Sequence, residues 1–198
     1  KLACDSIKDR LDVFLCEYTA KVQRAVLIRD YVIDHLDEAF SKGYIQVYYQ
    51  PVIRSISKTL CGLEALARWI DPVYGFLKPN EFIPALENTR QLYQLDLYIL
   101  EEVCKRLRAC LDDGIPVVPI SINLSRMDFL TCDIFTEVER RTQKYRIPHH
   151  LLCIEITESM FVQNAREIRI ILDHFREVGY QVWMDDFGSG YSSLNVLK

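Results

Sequence analysis

The sequence predicts an α/β fold built on parallel strands, and three observations carry that prediction. Strand-type and helix-type periodicities alternate from residue 43 onward, the strand interiors alternate apolar and polar residues, and acids gather where strands end. A chain of 198 residues that is 49% hydrophobic can bury a substantial core, so disorder is excluded. The 28 acids outweigh the 24 bases, and no basic run or Lys/Arg stripe is present to track a nucleic-acid backbone, which argues against DNA or RNA duplex binding.

Residues 1–42 read as one helical segment, with Leu11, Phe14, Leu15, Tyr18, Val22, Ala25, Val26, Leu36, Ala39 and Phe40 recurring mostly at three- and four-residue steps. Gly43 ends it. Strands are expected at Tyr44 to Val52, Cys61 to Trp69, Val117 to Leu124, Leu151 to Thr157 and Tyr180 to Asp186. Between the second and third, Asn80 is expected to cap a helix through Pro84 and Leu86, and a second helix covers Leu92 to Leu111 before Asp113-Gly114. Two more amphipathic helices follow. One carries Ile134, Phe135, Val138 and Tyr145; the other opens at Asn164 with Glu167 three residues later, buries Ile168, Ile171, Leu172 and Phe175, and closes at Gly179.

The choice between an open doubly wound sheet and a closed barrel turns on the strand interiors, which alternate instead of running uniformly apolar. Glu64, Leu66 and Arg68 share one face of their strand against Leu63, Ala65 and Ala67. Ser121 and Asn123 oppose Ile120, Ile122 and Leu124, and Glu155 and Thr157 oppose Leu152, Ile154 and Ile156. The last strand ends in Asp185 and Asp186. An uncompensated inward carboxylate costs several kcal/mol, so each requires a cation or a strong hydrogen-bond partner. Internal ion pairs are the competing explanation, but a lone inward Arg68 cannot neutralise acids from four strands. The hard oxygen donors of Glu64, Asn123, Glu155, Asp185 and Asp186 suit Mg²⁺, Mn²⁺ or Ca²⁺ better than Zn²⁺.

The seven cysteines are odd in number and never spaced C-x-x-C, which argues for reduced thiols and against zinc ribbons or disulfide frameworks. No apolar run approaches the ~20 residues of a membrane span. The expected location is the cytoplasm, with membrane anchoring of a parent protein left open. His149 and His150 are expected as solvent-exposed turn residues, His35 and His174 as surface or packing residues, and Trp183 as core filling or barrel lining.

Gln50-Pro51-Val52, Glu64-Ala65-Leu66-Ala67-Arg68-Trp69, Pro79 to Pro84 around Phe82-Ile83, Asn123-Leu124-Ser125, Glu155-Ile156-Thr157-Glu158 and the run Asp185 to Leu194 together resemble the EAL domain family, from about Tyr44 to Lys198. The resemblance implies a modified (β/α)8 TIM-type barrel, here about five of eight strands with the first antiparallel. It implies hydrolysis of cyclic di-GMP to linear pGpG with two Mg²⁺ or Mn²⁺ ions. By motif, Glu64, Asn123, Glu155 and Asp185 would be metal ligands, and Asp186 would hold or position the second metal. Arg68 would meet a phosphate, Gln50 and Leu66 would seat the dinucleotide, and Glu158 would anchor the loop after Asp186, which in the family connects metal occupancy to a homodimer interface.

The resemblance places three further strands beyond Lys198, with a K-x-D lysine, a metal-binding glutamate and a substrate-contacting glutamine. The 198 residues alone are therefore expected not to turn over substrate. Arg90 stands where the family usually has glycine, and Asn88 or Thr89 is expected to absorb the turn. Residues 1–42 resemble a linker, with the end of an upstream GGDEF domain, joined to an EAL domain at 43–198. Two other readings remain open: a non-catalytic cyclic di-GMP receptor or scaffold, and a barrel glycosidase pairing Glu64 with Glu155, which would need no double aspartate.

Overall fold

The computed structural model describes residues 20–157, 160 and 165–185. These fall into two compact units, one of residues 20–46 with 68–91 and the other of residues 47–67 with the described residues from 92 to 185.

The first unit contains helices α1 (Ala20–Asp34), α2 (Leu36–Ser41) and α3 (Pro79–Asn88), the end of strand β2 (Leu60–Asp71), and β3 (Gly75–Leu77). The helix expected through residue 42 breaks at His35, which leaves helical geometry at φ −113° and ψ 13°. Its Nδ1 bonds the Tyr31 carbonyl at 2.8 Å and its ring stacks on Tyr31, so the break is held by local polar and aromatic contacts. Packing of α1 on α3 buries Ile28 and Val32 with Phe82, Ala85 and Leu86. Each fully buried side chain of this size contributes roughly 1.5–3 kcal/mol.

Strand β3 is an addition to the expected set. It pairs antiparallel with β2 at Trp69↔Leu77, through a turn tied by the Val73 and Tyr74 amides donating to buried Asp71 at 2.8 and 2.9 Å. Three residues are too few for period-two alternation to reveal. The cap of α3 is Lys78 and not Asn80: Pro79 fits the first helical position, and the Lys78 amide donates to Glu81 at 2.8 Å.

In the second unit the sheet runs β1-β2-β4-β5-β6, with β1 at Ile45–Ile53, β4 at Ile120–Asn123, β5 at Leu152–Thr157 and β6 at Gln181–Asp185. Strands β2, β4, β5 and β6 are mutually parallel. The turn of residues 54–59, closed by the Arg54 amide on the Thr59 carbonyl at 2.9 Å, is too short for a parallel crossover, so β1 is antiparallel to β2. Strand β4 starts three residues later than expected because Pro119 has no amide to donate; its carbonyl still accepts from Leu63 at 2.9 Å.

Four helices join these strands: α4 (Leu92–Asp112), α5 (Arg126–Thr131), α6 (Ile134–Lys144) and α7 (Ala165–Val178). They bury Ile99, Leu100, Val103 and Leu107, then Ile134 and Val138, then Ile168, Leu172 and Phe175. Helix α5 was not expected, and Asn164, the expected cap of α7, lies outside the described residues. Schellman bonds close α4 at Gly114 and α7 at Gly179. The same paired bonds close α3 at Arg90 (φ 59°) and α6 at Arg146 (φ 52°). Arg90 therefore takes the left-handed conformation itself, correcting the expectation that Asn88 or Thr89 would.

His149 also differs from expectation. Its Nδ1 lies 2.7 Å from the Val178 carbonyl and its Nε2 3.1 Å from Glu139, whose Oε1 also accepts from Tyr180 at 2.6 Å. It ties the entrance of β5 to the end of α7, while His150 is exposed. His174 stacks on Phe135 at 3.9 Å. Among the described residues Cys61, Cys104, Cys110, Cys132 and Cys153 are free thiols, and no helix is long and apolar enough to cross a membrane.

Candidate cation and phosphodiester site

The strand registers set the site. Glu64 is opposite Ser121, Asn123 opposite Glu155, Glu155 opposite Trp183, and Thr157 opposite Asp185, so these residues share one sheet face. The other face carries Leu63, Ala65, Ile120, Ile122, Ile154 and Ile156. The polar set falls toward the C-terminal strand ends, where barrel enzymes assemble their chemistry.

Asn123 Nδ2 donates to Glu64 Oε1 at 3.1 Å, joining β4 to β2. Glu155, half-buried on the next strand, has its carboxyl pushed up first by burial and further by the negative charges of Glu64 and Asp185. The neighbouring Ser121 hydroxyl draws it back only in part, because Ser121 Oγ and Glu155 Oε2 are both buried atoms without a hydrogen-bond partner among the described residues. Trp183 lines this face instead of filling core: it is half-exposed, and a Cβ on Gly62 would meet its ring at 3.7 Å.

The structure thus brings Glu64, Asn123, Glu155 and Asp185 onto adjacent strands. Leu66 follows Glu64 on the same side of β2 and is half-buried, Gln50 is exposed on β1, and Arg68 is half-buried in the part of β2 that belongs to the first unit. Glu158 and Asp186 lie outside the described residues. Ser121 belongs to the site although no role was expected for it, and its place in the alternation beside Asn123 was the available signal.

The donors fit a hard divalent cation in type, since a buried carboxylate oxygen without a partner is what such an ion satisfies. Among the described residues no three His, Cys, Asp or Glu side chains stand close enough to share one ion.

An α/β domain with a carboxylate and amide array at the ends of parallel strands is the class that fold and site define. The EAL domain family model matches residues 33–198, and the chain belongs to that family. It is 34% identical over 162 residues, 82% of this chain and 20% of the relative, to the oxygen sensor protein DosP of Escherichia coli. It is 32% identical over 168 residues to MucR of Pseudomonas aeruginosa, a bifunctional diguanylate cyclase/cyclic di-GMP phosphodiesterase, covering 84% of this chain and 24% of the relative. The chain spans about a fifth to a quarter of these relatives' length. Among solved structures it superposes on the MucR phosphodiesterase in complex with cyclic di-GMP with a TM-score of 0.78 and 30% identity, covering 84% of this chain and 68% of that one. The EAL enzyme Bd1971, in its cAMP- and cyclic di-GMP-bound form, gives a TM-score of 0.74 at 29% identity over 87% of this chain and 48% of that one. The parallel strands and crossover helices are accordingly a partial EAL barrel.

Proposed function

We propose that the intact domain hydrolyses cyclic di-GMP to linear pGpG with Mg²⁺ or Mn²⁺. The observation that carries this reading is the Asn123–Glu64 bond beside the unsatisfied oxygen of Glu155, on adjacent parallel strands of an EAL domain. MucR and Bd1971, at 29–30% identity, are solved with cyclic di-GMP bound.

In this reading Glu64, Asn123, Glu155 and Asp185 hold the ions, with Asp186 completing the pair. Bound ions would supply charge for the phosphoryl oxygens and a lowered pKa for the attacking water. Arg68 orients a phosphate, and Gln50 and Leu66 seat a guanosine half. Glu158 steadies the loop beyond Asp186, through which the parent protein forms a homodimer. Residues 1–42 serve as a linker from an upstream GGDEF or sensor domain.

The test is chromatographic analysis of cyclic di-GMP incubated with the full-length protein and Mn²⁺. pGpG should appear and should be abolished by Glu64→Ala. Tight binding without turnover would support a receptor instead, and neither binding nor turnover would refute both readings.

A further inference from the structure

Asp128, the third residue of α5, is fully buried. Its Oδ2 accepts from both the amide and the hydroxyl of Ser125, at 2.5 and 2.8 Å, while Oδ1 is buried with no hydrogen-bond partner. The α4 helix packs on α5 and brings a second acid to the same seam. That acid is Asp96, half-buried on the helix that also carries buried Leu92, Leu95, Ile99 and Leu100. The ion pairs of this region join Glu101 to Arg141 and Lys144, and Glu137 to Arg140 and Arg141, and none reaches either aspartate. The groups acting on the two carboxyls are each other and Ser125. The Cys132 thiol, also near Asp128, is held neutral by burial.

Two carboxylates in one apolar seam without a cation do not both ionise. Burial, and then the Asp128 charge, push Asp96 well up. Burial also raises Asp128, against its bonds with Asp96 and Ser125. The proton therefore belongs on the Asp96 side, leaving Asp128 to accept from Ser125.

Ser125 stands two residues after Asn123, and between them the Leu124 amide donates to the Glu155 carbonyl at 2.9 Å. We propose that Asp96 and Asp128 are a proton-sharing pair of positioning residues that clamp the β4–α5 turn and so aim Asn123 at the cation. This rests on the cation reading of the site. Loss of the shared proton would set the negative charge of half-buried Asp96 against that of buried Asp128 and loosen the Ser125 cap.

The sign follows from the raised native pKa of Asp96. Its contribution to stability is complete below the unfolded carboxyl value, ~3.9, and is lost as pH rises through the native value. Asp96→Asn supplies an amide donor that needs no proton, whereas Asp96→Ala supplies none.

The test measures Mn²⁺ affinity by electron paramagnetic resonance, and thermal unfolding in EDTA from pH 6 to 9, on full-length wild type, D96N and D96A. D96N should keep the wild-type Mn²⁺ affinity at pH 6 and lose less stability than wild type as pH rises. D96A should bind Mn²⁺ about tenfold more weakly, the usual scale for losing a group behind a metal ligand. Unchanged Mn²⁺ affinity in D96A overturns the positioning role, and parallel stability profiles for wild type and D96N overturn the shared proton. A wild type that binds no Mn²⁺ sinks the cation reading and the positioning role with it, while the pH profiles still decide the proton.

Discussion

Glu155→Gln separates what the site needs when empty from what it needs when loaded. In the metal-free protein the Glu155 carboxylate has a buried oxygen without a partner and faces the charges of Glu64 and Asp185. Glutamine keeps a polar group there and removes only the charge, whose burial beside two like charges costs a few kcal/mol in a fully buried site. Because Glu155 is half-exposed, solvent screening brings the cost to about 1 kcal/mol. For a chain of this size that corresponds to ~2–4 °C, so the variant should unfold that much higher in EDTA. Burial, then the neighbouring charges, raise its native pKa, so wild-type stability declines as pH rises through that value and the variant lacks the decline. With Mn²⁺ at a hundredfold over its dissociation constant, wild type gains about 2.7 kcal/mol and overtakes the variant, which has lost a charged ligand. Differential scanning fluorimetry across EDTA and graded Mn²⁺ reads both effects. Equal Mn²⁺ stabilisation of the two proteins, or a variant less stable in EDTA, would refute the assignment of Glu155.

Other substitutions test the fold around the site. Arg90→Gly and Arg146→Gly should each raise stability by about 0.5 kcal/mol, since relief of left-handed strain exceeds the added freedom of the unfolded chain; denaturant titration checks this, and a loss at both positions would contradict it. Phe82→Ala, which empties a fully buried position against Trp69, should cost about 3–5 kcal/mol and abolish cooperative unfolding in a marginal chain, visible in near-ultraviolet circular dichroism. Tyr180→Phe removes the hydroxyl that bonds Glu139 at 2.6 Å and Thr142 at 2.9 Å and should cost about 1–2 kcal/mol by the same titration.

The parallel strands and the face on which Glu64, Asn123, Glu155 and Asp185 converge were legible because a strand's period of two is independent of its neighbours. Wherever that alternation extended over five or more residues, the predicted strand lay within a few residues of the observed one. Features set by partners distant in sequence were not legible. Gly114 and Gly179 announced their helix ends by composition, but Arg90 and Arg146 make the same Schellman bonds without the residue that signals them, because the following chain dictates the turn. His149 looked like a solvent-exposed turn residue until Glu139, ten positions earlier, and Val178, twenty-nine later, were brought beside it. Asp96 was the least legible of all. In Leu95-Asp96-Leu97 it reads as an ordinary polar position on an amphipathic helix, and the acid that acts on it, Asp128, sits on α5, a helix of six residues too short for periodicity to reveal. Acids packed behind a site can thus be hidden in a sequence whose candidate site residues are plain, because strand residues answer to their own strand and the groups behind them answer to the packing of others.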